Sequence, residues 1–346
     1  MTAGVISGAL LQAARRTAGL TQEQLAEGLG ADVATVKGWE TGRRPLCNVQ
    51  AGRLVRVRRY LRAAGAHPEL LAQLDTAIDA DAFAAQAIAG DCSQLGAEVT
   101  TRAWHALIGW AVRGDPPAAA ASVMPRRALL GAGDRGALFA SVRDAADRSA
   151  GDDGCLLRHQ AYYLAADDDS GDGAAWLADA RRVEGRRIRL DGTWTPGWSV
   201  GRSLAVAESR SGDPDPLGWF IRHHLDDPVC DAANLTYWAY WIGCYPEAAV
   251  GPEFMAERRL TVEQAARLLR HLASSLEAAL PYAGLSVAAM DSLTRRWPGL
   301  LPCDRQLAAE LTACTARLLD TPGQPASRDL LASLHRFARD AWRDEA

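Results

Sequence analysis

One stretch constrains this chain more than any other: residues 21–44, TQEQLAEGLGADVATVKGWETGRR. Thr21 stands three residues before Gln24, the spacing of a capping box, which satisfies two free backbone N–H groups and starts a helix at Gln22. Gly30 ends that helix, because a left-handed residue closes a helix and only glycine adopts it without steric cost. Asp32 is of a type that starts the next helix. Val36 and Trp39 give that helix an apolar side, and Gly42 stops it. Helices this short cannot stand alone in water. Leu25, Ala26 and Leu29 therefore need a partner, and the amphipathic run Leu10–Arg16, stopped by Gly19, supplies one.

Two helices joined by a turn of about four residues form a helix-turn-helix unit. Residues 8–46 resemble the Xre/Cro family, the phage-repressor type of that unit. The residues that carry the resemblance are Leu20-Thr21-Gln22-Glu23-Gln24-Leu25-Ala26, Leu29-Gly30, and Trp39-Glu40-Thr41-Gly42-Arg43-Arg44-Pro45. The resemblance implies a five-helix DNA-binding domain whose recognition helix runs from about Asp32 to Glu40. It implies a structural ion pair between Arg15 and Glu40. It also implies a phosphate contact from Gln22, base-facing positions at Asp32, Val33, Ala34, Lys37 and Gly38, a backbone contact from Thr35, and phosphate contacts from Arg43 and Arg44. Phage repressors often carry glutamines at the outward positions. Here Val33 and Ala34 suit thymine methyl groups, and Lys37 is the one strong donor, toward guanine. Phosphate contacts and DNA shape are expected to carry much of the affinity.

The charge layout points the same way. Residues 1–62 hold ten basic and four acidic side chains, so that segment carries +6 while the whole chain carries −4. A basic module joined to an acidic body is the footprint of a nucleic-acid binder with a second role. In Asn48–Arg62, Val49, Leu54, Val57 and Leu61 share one helical side and Arg53, Arg56 and Arg59 another. Arg53 and Arg56 are read as further phosphate contacts, against the alternative of a solvated charged face.

Beyond Gly65 the text is helical. Three segments are expected: a DNA-binding domain over 1–66, an Ala-rich connector or dimer helix over 67–97, and an all-helical effector and oligomerisation domain over 98–346. Helices are predicted near 100–113, 134–149, 155–166, 174–183, 198–210, 216–225, 229–243, 261–280, 286–296, 304–320 and 327–342. Start signals support several: Thr261 with Gln264, Asp227-Pro228, and caps at Ser286 and Ser327. The best strand-like stretch is short, Arg187–Leu190. The fold class is therefore all-α, with stacked helix pairs as one form of the body. No repeat of about 34 residues stands out.

The chemistry-bearing motifs are weak. Gly131-Ala132-Gly133-Asp134-Arg135-Gly136 fits GxGxxG but follows no strand. His223, His224, Asp226, Asp227 and Cys230 are of metal-ligand types at a spacing that matches no zinc pattern. No catalytic residues, metal site, cofactor or enzyme activity are expected. Seven scattered cysteines without a CxxC pair, no leader peptide and no long apolar run imply a soluble cytoplasmic protein with reduced thiols. The aromatic residues are more telling, since ten of the eleven tryptophans lie beyond the first module. Tyr237, Trp238, Tyr240, Trp241 and Tyr245 crowd one helix. They read as core, or else as a ligand pocket formed by Trp198, Arg202, Asn234, Tyr237, Trp238 and Trp241.

The expected function is a sequence-specific transcriptional regulator, a homodimeric repressor that binds double-stranded operator DNA. Its helical body would dimerise and sense a small molecule, peptide or small protein. The alternative is an interaction scaffold or antitoxin-like protein that binds DNA for autoregulation.

Overall fold

The computed structural model describes residues 3–149, 151–187, 194–245, 247–276, 281–320 and 328–343. Every α-helix or strand among them is an α-helix, so the chain is all-α. The strand-like positions 188–190 and the Ser327 cap lie outside the described residues.

Two compact units divide the chain. The first comprises Met1–Gln94, Thr100–Arg148 and Asp167–Gly173; the second comprises Leu95–Val99, Ser149–Ala166 and Ala174–Ala346. The divisions fall elsewhere than residues 66 and 97. The first unit opens with α1 (Val5–Thr17), α2 (Gln22–Leu29), α3 (Val33–Glu40) and α4 (Ala51–Ala63). It continues with α5 (Pro68–Ala72) and α6 (Leu74–Ile88). The short α7 (Gln94–Ala97) crosses the division, and α8 (Arg102–Arg113) and α9 (Ala132–Arg148) complete the unit. Helix α1 is its centre, packed against α3, α5, α6 and α8. Small residues make that possible. A Cβ on Gly8 would stand 2.4 Å from the Trp39 carbonyl oxygen, so α1 and the end of α3 touch backbone to backbone.

The expected connector is an interior element. Helix α6 lies along α1, with Leu74, Ala77, Ala80, Phe83, Ala84 and Ala87 buried. It also completes α1 chemically. Gly4 at the start of α1 has no side chain to cap it. Asp81 does so from α6: its Oδ1 accepts from the Ile6 N–H at 2.8 Å and its Oδ2 from the Ser7 N–H at 2.9 Å. A carboxylate there also meets the positive end of the helix dipole.

The second unit contains α10 (Cys155–Ala165), α11 (Asp172–Arg187, whose first two residues fall in the first unit), α12 (Pro196–Arg210), α13 (Asp215–His224) and α14 (Pro228–Trp241). After α15 (Phe254–Glu257) come α16 (Val262–Ser274), α17 (Ala283–Arg296), α18 (Arg305–Asp320) and α19 (Arg328–Arg343). A linear stack of pairs would let each pair meet only its neighbours. Here α17 lies against α13, α14, α16 and α19, which makes it a hub. The Thr261–Gln264 capping box forms, and Asp227 caps α14 by accepting from Val229 and Cys230. Ser286 is not a cap. Helix α17 begins three residues earlier, and Ser286 is buried inside it.

Candidate nucleic-acid interface

The candidate site is built on the pair α2 and α3. Thr21 Oγ1 accepts from the Gln24 N–H, and Gln24 Oε1 accepts from the Thr21 N–H, so the predicted capping box is closed on both sides. Gly30 ends α2 in the left-handed region at φ 59°. Asp32 stands at the start of α3 in extended backbone, but its side chain makes no capping bond. Its carboxylate is left exposed at the tip of the recognition helix.

The joint between α1, α2 and α3 is polar and buried. Arg15 Nε donates to Glu40 Oε1 at 2.6 Å, and Nη2 donates to Oε2 at 3.1 Å. Arg15 Nη1 reaches the Leu20 carbonyl at 2.6 Å. Both side chains of the pair are nearly sealed, at 8 % and 1 % exposure. Gln22 joins this cluster: its Nε2 donates to Glu40 Oε2 at 2.7 Å. This bond places the Gln22 amide at the first turn of α2, where the resemblance implies a phosphate contact. It locks that turn to the last turn of α3.

The outward positions divide into open and covered. Asp32, Val33, Ala34 and Lys37 are exposed, and Thr35 is half-buried. Gly38 is buried, contrary to its expected base-facing place. The Arg44 side chain crosses it, so a Cβ there would meet Arg44 Cδ at 3.0 Å. Arg44 Nη1 then donates to Thr35 Oγ1 at 2.8 Å, which holds the guanidinium along α3. Arg53 approaches the same helix from α4, with its guanidinium 5.1 Å from the Trp39 ring. Lys37, Arg43, Arg56 and Arg59 are exposed and form no ion pair among the described residues. By contrast, Arg58 is bound to Asp75. The arginines on α4 are thus not equivalent.

The expected aromatic pocket lies in the second unit and is mostly filled. Trp198, Arg202, Asn234, Tyr237, Trp238 and Trp241 are all buried. Arg202, Tyr237, Trp238 and Trp241 border a void of about 20 Å³, together with Tyr163, Val206, Tyr282 and Leu285. A space of that size holds about one water molecule. Trp198 is packed on Phe220, with ring centroids 5.3 Å apart, and does not border the void. Of the suspected metal-ligand types, Asp227 caps α14 and His223 stacks on Trp219 at 4.7 Å.

His159 supports this cluster edge-on to Tyr237 at 5.2 Å, its Nδ1 2.9 Å from the Ser199 carbonyl oxygen and 2.7 Å from Ser203 Oγ. Burial pulls its pKa down to about 4. The imidazole therefore stays neutral in the folded protein, while the unfolded chain takes up a proton near pH 6.5. Its contribution is complete above pH 6.5 and is lost as pH falls toward 4. We expect His159 to account for about 3 kcal/mol of lost stability across that window. Urea unfolding at pH 7 and pH 4.5 checks this. His159→Gln should show a smaller loss than wild type, and equal losses would exclude the assignment.

Residues 8–74 match the family model described as a helix-turn-helix domain. The match spans about a fifth of the chain and covers α2, α3 and α4. No curated protein and no solved structure matches the chain. The N-terminal region is thus a helix-turn-helix domain, which supports DNA binding.

Proposed function

We propose that this protein is a sequence-specific transcriptional regulator of the Xre type that acts as a dimeric repressor. Helix α3 enters the major groove of operator DNA. Val33, Ala34 and Lys37 face base edges, while Thr35, Arg43, Arg44, Arg53 and Arg56 hold the backbone. The observation that carries this reading is the exposed tip of α3 beside cations that no carboxylate neutralises. Basic groups left without partners supply the counterion-releasing contacts on which protein–DNA affinity depends. The acidic second unit is read as the part that dimerises and responds to an effector. A ligand shifts DNA binding only by binding two arrangements with unequal affinity.

A footprint on DNA upstream of the protein's own gene, paired with sedimentation of the full chain, tests the proposal. A dimer should protect two half-sites whose centres lie about 34 Å apart, one turn of the duplex. A monomer that protects a single half-site would remove the dimeric part of the reading. A dimer that shows no preference among fragments would remove the sequence-specific part.

A further inference from the structure

The aromatic cluster of the second unit encloses a cation without a counter-charge. Arg202 of α12 is 4 % exposed. Its Nε donates to Asn234 Oδ1 at 2.9 Å, and its guanidinium carbon lies 4.5 Å from the Tyr237 ring and 5.6 Å from that of Trp238. Among the described residues no carboxylate pairs with it, and its Nη groups find no hydrogen-bond acceptor. Two further buried donors lack partners: Asn234 Nδ2 and Trp238 Nε1.

Neighbouring titratable groups do not supply the missing charge. Burial pushes the Tyr237 hydroxyl pKa up, so it is no phenolate at neutral pH. His159 is neutral for the reason given above. Burial lowers the Arg202 pKa only to about 10, so the guanidinium remains charged. A buried ion without a partner is costly. The aromatic faces return only part of that cost. The remaining cost falls beside the void of about 20 Å³ bordered by both Arg202 and Trp238.

We propose that this void is a binding site for a small monovalent anion, a halide or a carboxylate group, held by the Arg202 guanidinium. Water fills such a space but cannot neutralise the cation. Tyr163 and Tyr282 are half-buried at its border, where a carboxylate's organic tail would leave. The inference concerns the second unit alone. It is tested without DNA, so it stands or falls separately from the regulator reading.

The test is thermal unfolding of the full chain in rising sodium bromide and, separately, sodium acetate, with Arg202→Met in the same salts. Subtracting the variant cancels general salt effects. The wild-type midpoint should rise by about 3–6 °C per tenfold increase in free anion concentration once the site is mostly filled, and the variant should not show this rise. Bromide should also quench tryptophan fluorescence saturably in wild type and only linearly in Arg202→Met. A response to bromide alone assigns a halide site, and a response to acetate assigns a carboxylate site. Asn234→Asp keeps the test decisive if Arg202→Met does not fold. It places a carboxylate beside Arg202 Nε, so the low-salt midpoint should rise and the anion response should vanish. Wild type and both variants responding in parallel to both salts would overturn the proposal, as would Asn234→Asp with a lower midpoint and an intact response.

Discussion

Removing Glu40 should unfold the helix-turn-helix. Glu40→Ala leaves the Arg15 guanidinium buried without its carboxylate and strips Gln22 of its acceptor. Breaking a buried ion pair from one side costs about 3–5 kcal/mol, a large share of the stability of a typical domain. The loss should appear in urea unfolding followed by circular dichroism, with little dependence on salt because the pair is sealed from solvent. Glu40→Gln should fall between, since it keeps an acceptor but loses the charge. The double variant Arg15→Met/Glu40→Leu separates the two components of the effect. A buried ion pair replaced on both sides by apolar groups is often neutral or stabilising. The double variant should therefore recover most of the loss. If it is as unstable as Glu40→Ala, the damage comes from packing at the α1–α3 contact rather than from an orphaned charge.

The second large effect is on DNA binding. Arg43→Ala/Arg44→Ala should weaken binding and flatten its salt dependence while the fold stays intact. Both side chains are exposed, so their removal leaves no cavity. Arg43 forms no ion pair among the described residues, and Arg44 is already aligned along α3 by Thr35. A dimer contacting about 6–8 phosphates should lose affinity with a log–log salt slope of about −5 to −7. Two arginines in each of two subunits account for about four of those contacts, so the slope should become shallower by about 3–4. Titrating one upstream fragment at several salt concentrations measures both quantities. A mutant with the wild-type slope would show that these arginines do not hold the backbone. Thr35→Val asks a finer question. It removes only the hydroxyl that positions Arg44, so it should weaken binding less than the double variant.

Much of the first module was legible in residues 21–44 because its signals are local. A capping box, a left-handed glycine and an apolar helical face each act within about one turn, so the chain itself displays them. The same holds for the body, where the predicted helices fall close to the observed ones. The failures have one physical character. Ser286 is a good capping residue by type, yet α17 starts at Ala283 and buries it. Gly38 occupies a position that faces outward on an isolated helix-turn-helix, yet the Arg44 stem covers it. Arg58 pairs with Asp75, a partner that no local pattern around Arg58 displays.

The sequence by itself determined the helical class, most helix boundaries to within a few residues, the helix-turn-helix and the charge contrast between front and body, although the helix expected to reach residue 280 ends at Ser274. These depend on backbone propensity, side-chain period and composition, all of which are carried by neighbouring residues. The tertiary structure alone decided that α6 caps α1 through Asp81, that the aromatic cluster is packed around a void of about 20 Å³, and that Arg202 is buried there without a counter-ion. Each of these joins residues at least about thirty positions apart. Such contacts depend on how helices pack once loop-closure entropy has been overcome, and no local pattern along the chain encodes that choice.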